Sequence, residues 1–178
     1  MERKVLTIND FIKQFFIKEI KQIAFGDDEN KTSHPYLASA LMAIGIEFLG
    51  KCIRLKNINQ TELYQLFEQN HSTNDFNLAL QELQSLQKYN NISLPNGNLY
   101  KVLRCGFCHT MLPKSNLILM EGNGNYSVND GELTLYLESF YNDFERACNE
   151  LINLHFLMGE NNLLSTTNTS SSLTINQN

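Results

Sequence analysis

Apolar residues recur along this chain at the three- and four-residue spacing of amphipathic helices. The first stripe predicts a helix from Ile8 to Ala24. A second segment, apolar on most faces, predicts a central helix that starts after Ser33 and runs to about Leu55, with Pro35 in its first turn, where a missing N–H costs nothing. The remaining stripes predict further helices over 61–69, 75–89, 99–111 and 139–157.

Short runs of strand character lie between the last two predicted helices. They cover Leu117 to Met120, Tyr126 to Val128 and Glu132 to Leu137. Asn123-Gly124 and Asp130-Gly131 supply turn sequences between them, which predicts a small hairpin or meander. The predicted fold class is therefore all-α: a bundle of about five or six helices with a small β-hairpin before the last helix.

The end of the chain differs in composition from the rest. A length of 178 residues fits one domain, and the last segment is rich in Ser, Thr and Asn. We therefore predict a helical domain over residues 1–158 and a disordered tail over 159–178.

Nothing in the pattern predicts export or membrane insertion. The N-terminal segment has no uninterrupted apolar region and no small-residue cleavage site. The most apolar stretch, Tyr36 to Gly50, is too short to span a bilayer and contains Glu47. We expect a cytoplasmic protein without membrane contact, whose cysteines are reduced.

Charge is distributed unevenly. The net charge is −5, which argues against a protein that coats nucleic acid by bulk charge. Between Leu83 and Met120, however, there is no Asp or Glu, whereas four basic residues are present: Lys88, Lys101, Arg104 and Lys114. This basic island suits a phosphate-bearing ligand, and chance explains it equally well.

Cysteine chemistry is one interpretation of the segment 99–114 inside the island. Cys105-Gly-Phe-Cys108-His109 matches the C-x-x-C-H of c-type haem attachment, but that chemistry belongs to exported proteins. A structural zinc site needs four ligands, usually in two pairs, and here there is one pair. We therefore expect no metal and no cofactor, and buried thiols instead.

Arg104 and His109, in the spacing R-x4-H, give the other interpretation. Arginine clamps phosphate with two hydrogen bonds, and histidine transfers protons near neutral pH. On a regular α-helix the two side chains would point about 140° apart. The pair converges if the helix ends near His109, as Pro113 indicates, or if two chains combine across a two-fold axis. The alternative is a surface Arg and a His that stabilises a helix C-terminus.

The sequence segments around this pair resemble those of a known protein superfamily. LYKVLRCGFCHTMLPK resembles the pattern Y-x-x-x-R-C-G-L-x-H-x-x-x-P-K of some bacterial HEPN-like proteins of unassigned role. AIGIEFLGK resembles the apolar helix with an embedded acidic residue in the same proteins. The resemblance covers about Thr7 to Leu157, and its distinctive part is Tyr100 to Lys114.

The resemblance implies a helical bundle that dimerises and joins two R-x4-H motifs into one RNA-cleaving site. Many such proteins are metal-independent endoribonucleases that act as toxins or in phage defence, so RNA, a second copy and an antitoxin or regulatory protein are the implied partners. By position, Arg104 would hold the scissile phosphate and His109 would transfer protons. Tyr100 and Cys105 are the candidates for supporting positions, and Lys101 and Lys114 are the candidates for phosphate or RNA binding.

One departure from the family pattern keeps a second function open. The residue after the arginine is often Asn, Asp or His, and here it is Cys105. The alternative is a non-catalytic HEPN-like module that binds a nucleotide or a protein.

We expect the predicted helices over 99–111 and 139–157 to supply the two-fold interface of the dimer.

Glu47 lies in an apolar run, where a buried carboxylate is costly unless it is paired. It is either an acidic partner that orients Arg104 or His109, or a residue near the helix end that reaches solvent or Lys51.

Overall fold

The computed structural model describes seven stretches of the chain: residues 4–5, 8–26, 33–55, 73–95, 97–106, 117–156 and 174–175. Most of the described residues are helical, and the sheets are small. The predicted mainly α-helical class is confirmed at this level.

Five α-helices form the frame of the described chain. Their bounds are α1 Ile8–Phe11, α2 Ile20–Phe25, α3 Pro35–Leu55, α4 Thr73–Glu82 and α5 Leu137–Phe156. Two π-helices and a 3₁₀ helix complete the helical part, at Ile12–Glu19, Tyr100–Cys105 and Gln84–Tyr89 respectively.

Helix α3 is the centre of the core, as predicted. It packs against α2, α4, α5 and the π-helix Tyr100–Cys105. Small residues permit these close contacts: a Cβ added at Gly50 would lie 1.7 Å from the carbonyl oxygen of Asp75 in α4, and one added at Gly45 would lie 2.5 Å from the Phe144 ring. The sequence predicts close packing at Ala38, Ala40, Ala43 and Gly45, of which Ala38 and Ala43 are fully buried and Ala40 is partly buried; it does not predict the contact at Gly50.

By length and composition, α3 is also the one described helix that could cross a bilayer, with a mean hydropathy of 1.5 over its most apolar window. The helix exceeds the apolar stretch seen in the sequence because it extends to Leu55. One side of the helix fills the core, since Met42, Ile46 and Leu49 are fully buried, whereas Tyr36, Leu37 and Ile44 are exposed. The predicted location and lack of membrane contact stay predictions.

The first helical stretch, Ile8 to Phe25, confirms the first predicted helix and adds a detail of geometry. Four residues of α-helix rotate about 40° beyond a full turn, so side chains four apart drift around the axis. The wider turns of the π-helix Ile12–Glu19 rotate less per residue and restore the alignment. One row of buried side chains results: Ile8, Ile12, Phe16, Ile20 and Ala24.

The single helix predicted over 75–89 is wrong in one respect, because the chain breaks at Leu83. That residue is extended, with φ −90° and ψ 114°, and the 3₁₀ helix Gln84–Tyr89 follows it. The buried positions explain the change: Leu83, Leu86 and Tyr89 are three apart, and a 3₁₀ helix has three residues per turn.

A three-stranded sheet precedes α5. Strands β5 (Ser127–Asn129) and β6 (Glu132–Tyr136) form the predicted hairpin, whose turn residues Asp130 and Gly131 both have positive φ. Strand β4 (Leu117–Met120) pairs in parallel with the other edge of β6. A meander is therefore wrong, because residues 121–126 cross over the end of β6 instead of turning β4 directly against β5.

Two small strand pairs complete the described structure. Strands β2 (Ser93–Leu94) and β3 (Gly97–Asn98) lie just before the second π-helix. Strand β1 (Lys4–Val5) pairs antiparallel with β7 (Thr174–Ile175), so two residues of the segment predicted to be disordered form a strand. The rest of that segment and the predicted helix 61–69 lie outside the described residues.

Candidate functional site

The motif helix, which we define as the π-helix Tyr100–Cys105, carries the described half of the R-x4-H motif. Its start is fixed by Asn98, whose Oδ1 accepts a hydrogen bond from the Lys101 backbone N–H at 3.3 Å. Asn98 belongs to β3, so the β2–β3 pair sets where the helix begins. Arg104 lies in its last turn.

A buried ion pair joins the motif helix to α3. Arg104 Nε donates a hydrogen bond to Glu47 Oε2, and the two residues are 9% and 6% exposed. Of the two interpretations of Glu47, the structure shows the pairing with Arg104. Removing two opposite charges from water is costly, and close contact with good geometry offsets that cost.

The pair belongs to a larger group of charges on one face of α3. Glu47, Lys51 and Arg54 are four and three residues apart, which places them on the same side of an α-helix. Arg54 donates two hydrogen bonds to the carboxylate of Asp75 in α4, from Nε to Oδ1 at 2.6 Å and from Nη2 to Oδ2 at 2.9 Å. Helices α3 and α4 and the motif helix therefore meet around alternating charges.

Lys51 lies inside this group. It is 9% exposed, and burial lowers the pKa of its amine, while Asp75 and Glu47 act in the opposite direction. The amine therefore loses its proton at lower pH than an exposed lysine does. Because Glu47 is one of the groups that raise the pKa of Lys51, the carboxylate interacts with this buried amine as well as with Arg104.

The other described motif residues have different surroundings. Tyr100 is buried, and its ring meets Phe76 edge-on with centroids 5.4 Å apart. Cys105 is half-buried and packs against the core. Lys101 is exposed to solvent, and its side chain lies against Gly97. Tyr100 therefore supports the motif helix, and Lys101 is available to a ligand. The other two predicted site residues, His109 and Lys114, lie outside the described residues.

The geometry of the motif helix changes the argument about convergence. The 140° separation assumed α-helical rotation, and the described helix has i→i+5 hydrogen bonds through Cys105. Such a helix brings residues five apart closer to one face than an α-helix does. The α-helical rotation therefore does not apply within Tyr100–Cys105, and His109 lies outside the described residues.

The described cysteines are thiols in apolar surroundings. Cys52 and Cys148 are buried in α3 and α5, and burial raises the pKa of Cys52 to about 12 and that of Cys148 well above its ordinary value. Within the described residues no three His, Cys, Asp or Glu side chains are grouped to hold a metal ion. Cys108 lies outside them, so the prediction of a metal-free pair stays a prediction.

Sequence analysis missed two members of the charged group, Arg54 and Asp75. Arg54 follows Glu47 and Lys51 at helical spacing within an apolar helix, and that pattern could have identified it. Asp75 carried no such signal, since an acidic residue in the first turn of a helix is ordinary.

No protein-family model, no curated protein and no solved structure matches this chain.

Proposed function

We propose that this protein is a HEPN-like, metal-independent endoribonuclease that acts as a homodimer. The buried pairing of Glu47 with Arg104 is the observation that carries the proposal. Burying a charged pair has an unfavourable desolvation free energy, and here the pair holds the arginine of the R-x4-H motif in place. In this proposal Glu47 is a positioning residue and Arg104 binds phosphate.

The chemistry follows from the two side chains. A carboxylate bound at Nε fixes the plane of the guanidinium group, and a fixed plane suits the paired hydrogen bonds that arginine makes to phosphate. Arg104 would stabilise charge that develops on the phosphoryl oxygens. His109 would transfer a proton, which suits a side chain that titrates near neutral pH.

The proposed reaction is transesterification within the RNA strand. The 2′-oxygen bonds to phosphorus as the bond from phosphorus to the 5′-oxygen breaks. The 2′-hydroxyl loses its proton, and the leaving 5′-oxygen gains one. The products are a 2′,3′-cyclic phosphate and a 5′-hydroxyl.

Cleavage of labelled RNA by purified protein tests this function. The parent should cut RNA and not DNA, leave cyclic phosphate ends, and be unaffected by EDTA. His109→Ala and Arg104→Lys should each abolish cleavage, because the first removes proton transfer and the second removes the paired hydrogen bonds. Lys21→Ala, an exposed position of α2, is the matched control and should cut like the parent. RNA cleavage that survives both motif substitutions, or that EDTA stops, refutes the mechanism.

The composite site has its own test. Co-expression of Arg104→Lys and His109→Ala chains yields mixed dimers, which hold one intact pair if each site combines the two chains. Partial recovery of cleavage in the mixture supports this arrangement. A monomer by light scattering at tens of micromolar, or a mixture as inactive as its components, contradicts it.

One observation favours the second function, a non-catalytic module that binds a nucleotide or a protein. Arg104 is 9% exposed, which restricts how much of its guanidinium group a phosphate can reach. Binding of labelled RNA or nucleotide without any cleavage by the parent would select this module. An antitoxin or regulatory protein would be sought by co-purification with neighbouring gene products.

A further inference from the structure

A second buried carboxylate lies away from the R-x4-H motif. Asp143 of α5 is 2% exposed and accepts a hydrogen bond from the Tyr89 hydroxyl at 2.6 Å. Its Oδ2 also lies 2.5 Å from Lys88 Nζ, and its Oδ1 accepts a hydrogen bond from Arg146. Asp143 therefore joins the 3₁₀ helix Gln84–Tyr89 to helix α5.

The two cations on Asp143 face outward. The Lys88 and Arg146 side chains are 42% and 66% exposed, although the carboxylate they share is buried. One carboxylate offsets one positive charge, so this trio carries a net positive charge toward solvent. Each cation binds a different oxygen of the same carboxylate, so the two positive groups are held beside one another by one side chain.

Aromatic rings border the pair. Lys88 Nζ lies 5.2 Å from the centre of the Tyr89 ring, and the Tyr126 ring lies 5.6 Å from that of Tyr89. The Tyr126 hydroxyl donates a hydrogen bond to the Lys88 carbonyl oxygen at 2.9 Å. These contacts fix the backbone and side chain of Lys88, so the cation is oriented before any ligand arrives.

An opposing charge on the same face of α5 is Glu150, seven residues after Asp143. Its Oε1 accepts hydrogen bonds from the Ser85 backbone N–H at 3.0 Å and from the Ser85 hydroxyl, at the start of the 3₁₀ helix. The carboxylate is thus directed toward Ser85, and it reduces the positive field at the pair without lying between the two cations and Asp143.

We propose that Lys88 and Arg146 form a phosphate-binding site, with Asp143 as the residue that positions both cations. Lysine supplies a point charge and arginine a planar fork, and two such groups side by side suit the oxygens of one phosphate group. The ligand is a phosphate carried by an RNA strand or by a free nucleotide. The site shares no residue with Glu47, Arg104 or His109, so it does not depend on the proposed nuclease activity.

Binding of fluorescently labelled single-stranded RNA, measured by anisotropy over a range of salt concentrations, tests the site. Lys88→Gln and Arg146→Gln should each weaken binding of all sequences alike and lower the slope of log affinity against log salt by about 1. Lys21→Gln removes the same charge from α2 and is the control. Lys88→Arg and Arg146→Lys keep the positive charge and should retain the salt slope of the parent, and Glu150→Gln should strengthen binding.

Competition separates the two sources of phosphate. A nucleoside monophosphate that displaces the RNA at equal phosphate concentration indicates a site for single nucleotides, whereas failure to displace indicates a strand. Parent-like binding by both Gln variants, or losses no larger than that of Lys21→Gln, would overturn the proposal. If the Gln variants bind RNA like the parent and still cleave it, the phosphate-site proposal fails and the nuclease proposal stands. If the parent binds phosphate through Lys88 and Arg146 but cleaves no RNA, the nuclease proposal fails and the phosphate-site proposal stands.

Discussion

The ion pair between Glu47 and Arg104 makes a strong prediction about stability. Glu47→Ala leaves the Arg104 guanidinium in the core without the carboxylate that its Nε contacts. Removing one member of a buried pair costs about 3–5 kcal/mol, because the remaining charge is desolvated without compensation. Both residues are less than one-tenth exposed, so solvent screening does not reduce this figure to the range of surface pairs.

The neighbouring charges increase the effect. Glu47 and Asp75 are the acidic groups around Lys51, so the alanine variant also leaves that amine with less compensation. Glu47→Gln retains an oxygen acceptor and should lose less stability than Glu47→Ala. The double variant Glu47→Leu with Arg104→Met removes both charges and keeps similar volume, so it should be more stable than either single variant.

Urea unfolding followed by circular dichroism measures the stability of the parent, Glu47→Ala, Glu47→Gln, the double variant and its two single components, Glu47→Leu and Arg104→Met. Domains of this size are stabilised by about 5–15 kcal/mol, so the alanine variant should lose a large share of its unfolding free energy while its native helical signal stays at that of the parent. A loss below about 1 kcal/mol for Glu47→Ala would place the pair in the range of exposed ion pairs and refute the argument. A double variant that loses the sum of the two single effects would contradict the pairing itself.

Three further predictions concern the packing around this pair. Gly50→Ala forces a methyl group onto the carbonyl oxygen of Asp75, so α3 and α4 must separate, and urea unfolding should show a loss at or above the usual 1–3 kcal/mol of overpacking; parent-like stability would contradict that contact. Just below pH 10.5, the ordinary pKa of lysine, the unfolded chain binds a proton at Lys51 that the native amine has lost, so the stability of the parent should rise with pH in this range. Lys51→Met should flatten this rise, and an unchanged pH profile would contradict the burial of Lys51. Cys52 and Cys148 should resist a thiol reagent at pH 8 until urea unfolds the chain, as peptide mass mapping would show, and labelling of either in the native protein would contradict their burial.

Parts of the candidate site could be predicted because the signal is local. A carboxylate in an apolar helix requires a partner, and this fact about Glu47 put Arg104 among the candidates, beside His109 and Lys51. Arg104, which lies 57 residues away in sequence, is bound to it. The position of Asp75 opposite Arg54 could not be inferred in this way. It depends on how closely α3 and α4 approach at Gly50, which is a property of the packed pair and not of either segment alone.

The sheet shows the same division between local and distant information. Asp130-Gly131 specifies the β5–β6 hairpin, since two successive residues with positive φ make the turn that joins adjacent strands. The parallel pairing of β4 with β6 has no comparable turn signal. It is set by contacts beyond neighbouring strands, such as the hydrogen bond from the Gly124 N–H to the Ser139 hydroxyl, which ties the crossing segment to α5.

Spacing along the helices carries information that a fixed rotation of about 100° per residue discards. Buried residues repeat every fourth position through the π-helix Ile12–Glu19 and every third position through the 3₁₀ helix Gln84–Tyr89. Each repeat matches the helix that the chain adopts, because a helix with wider or tighter turns keeps those positions on one face. The motif helix is of the wider kind as far as Cys105, and the interval in R-x4-H is five. A motif interval should therefore be compared with the turn of its own helix, because residues five apart lie closer to one face where the turns are wide than they do in an α-helix.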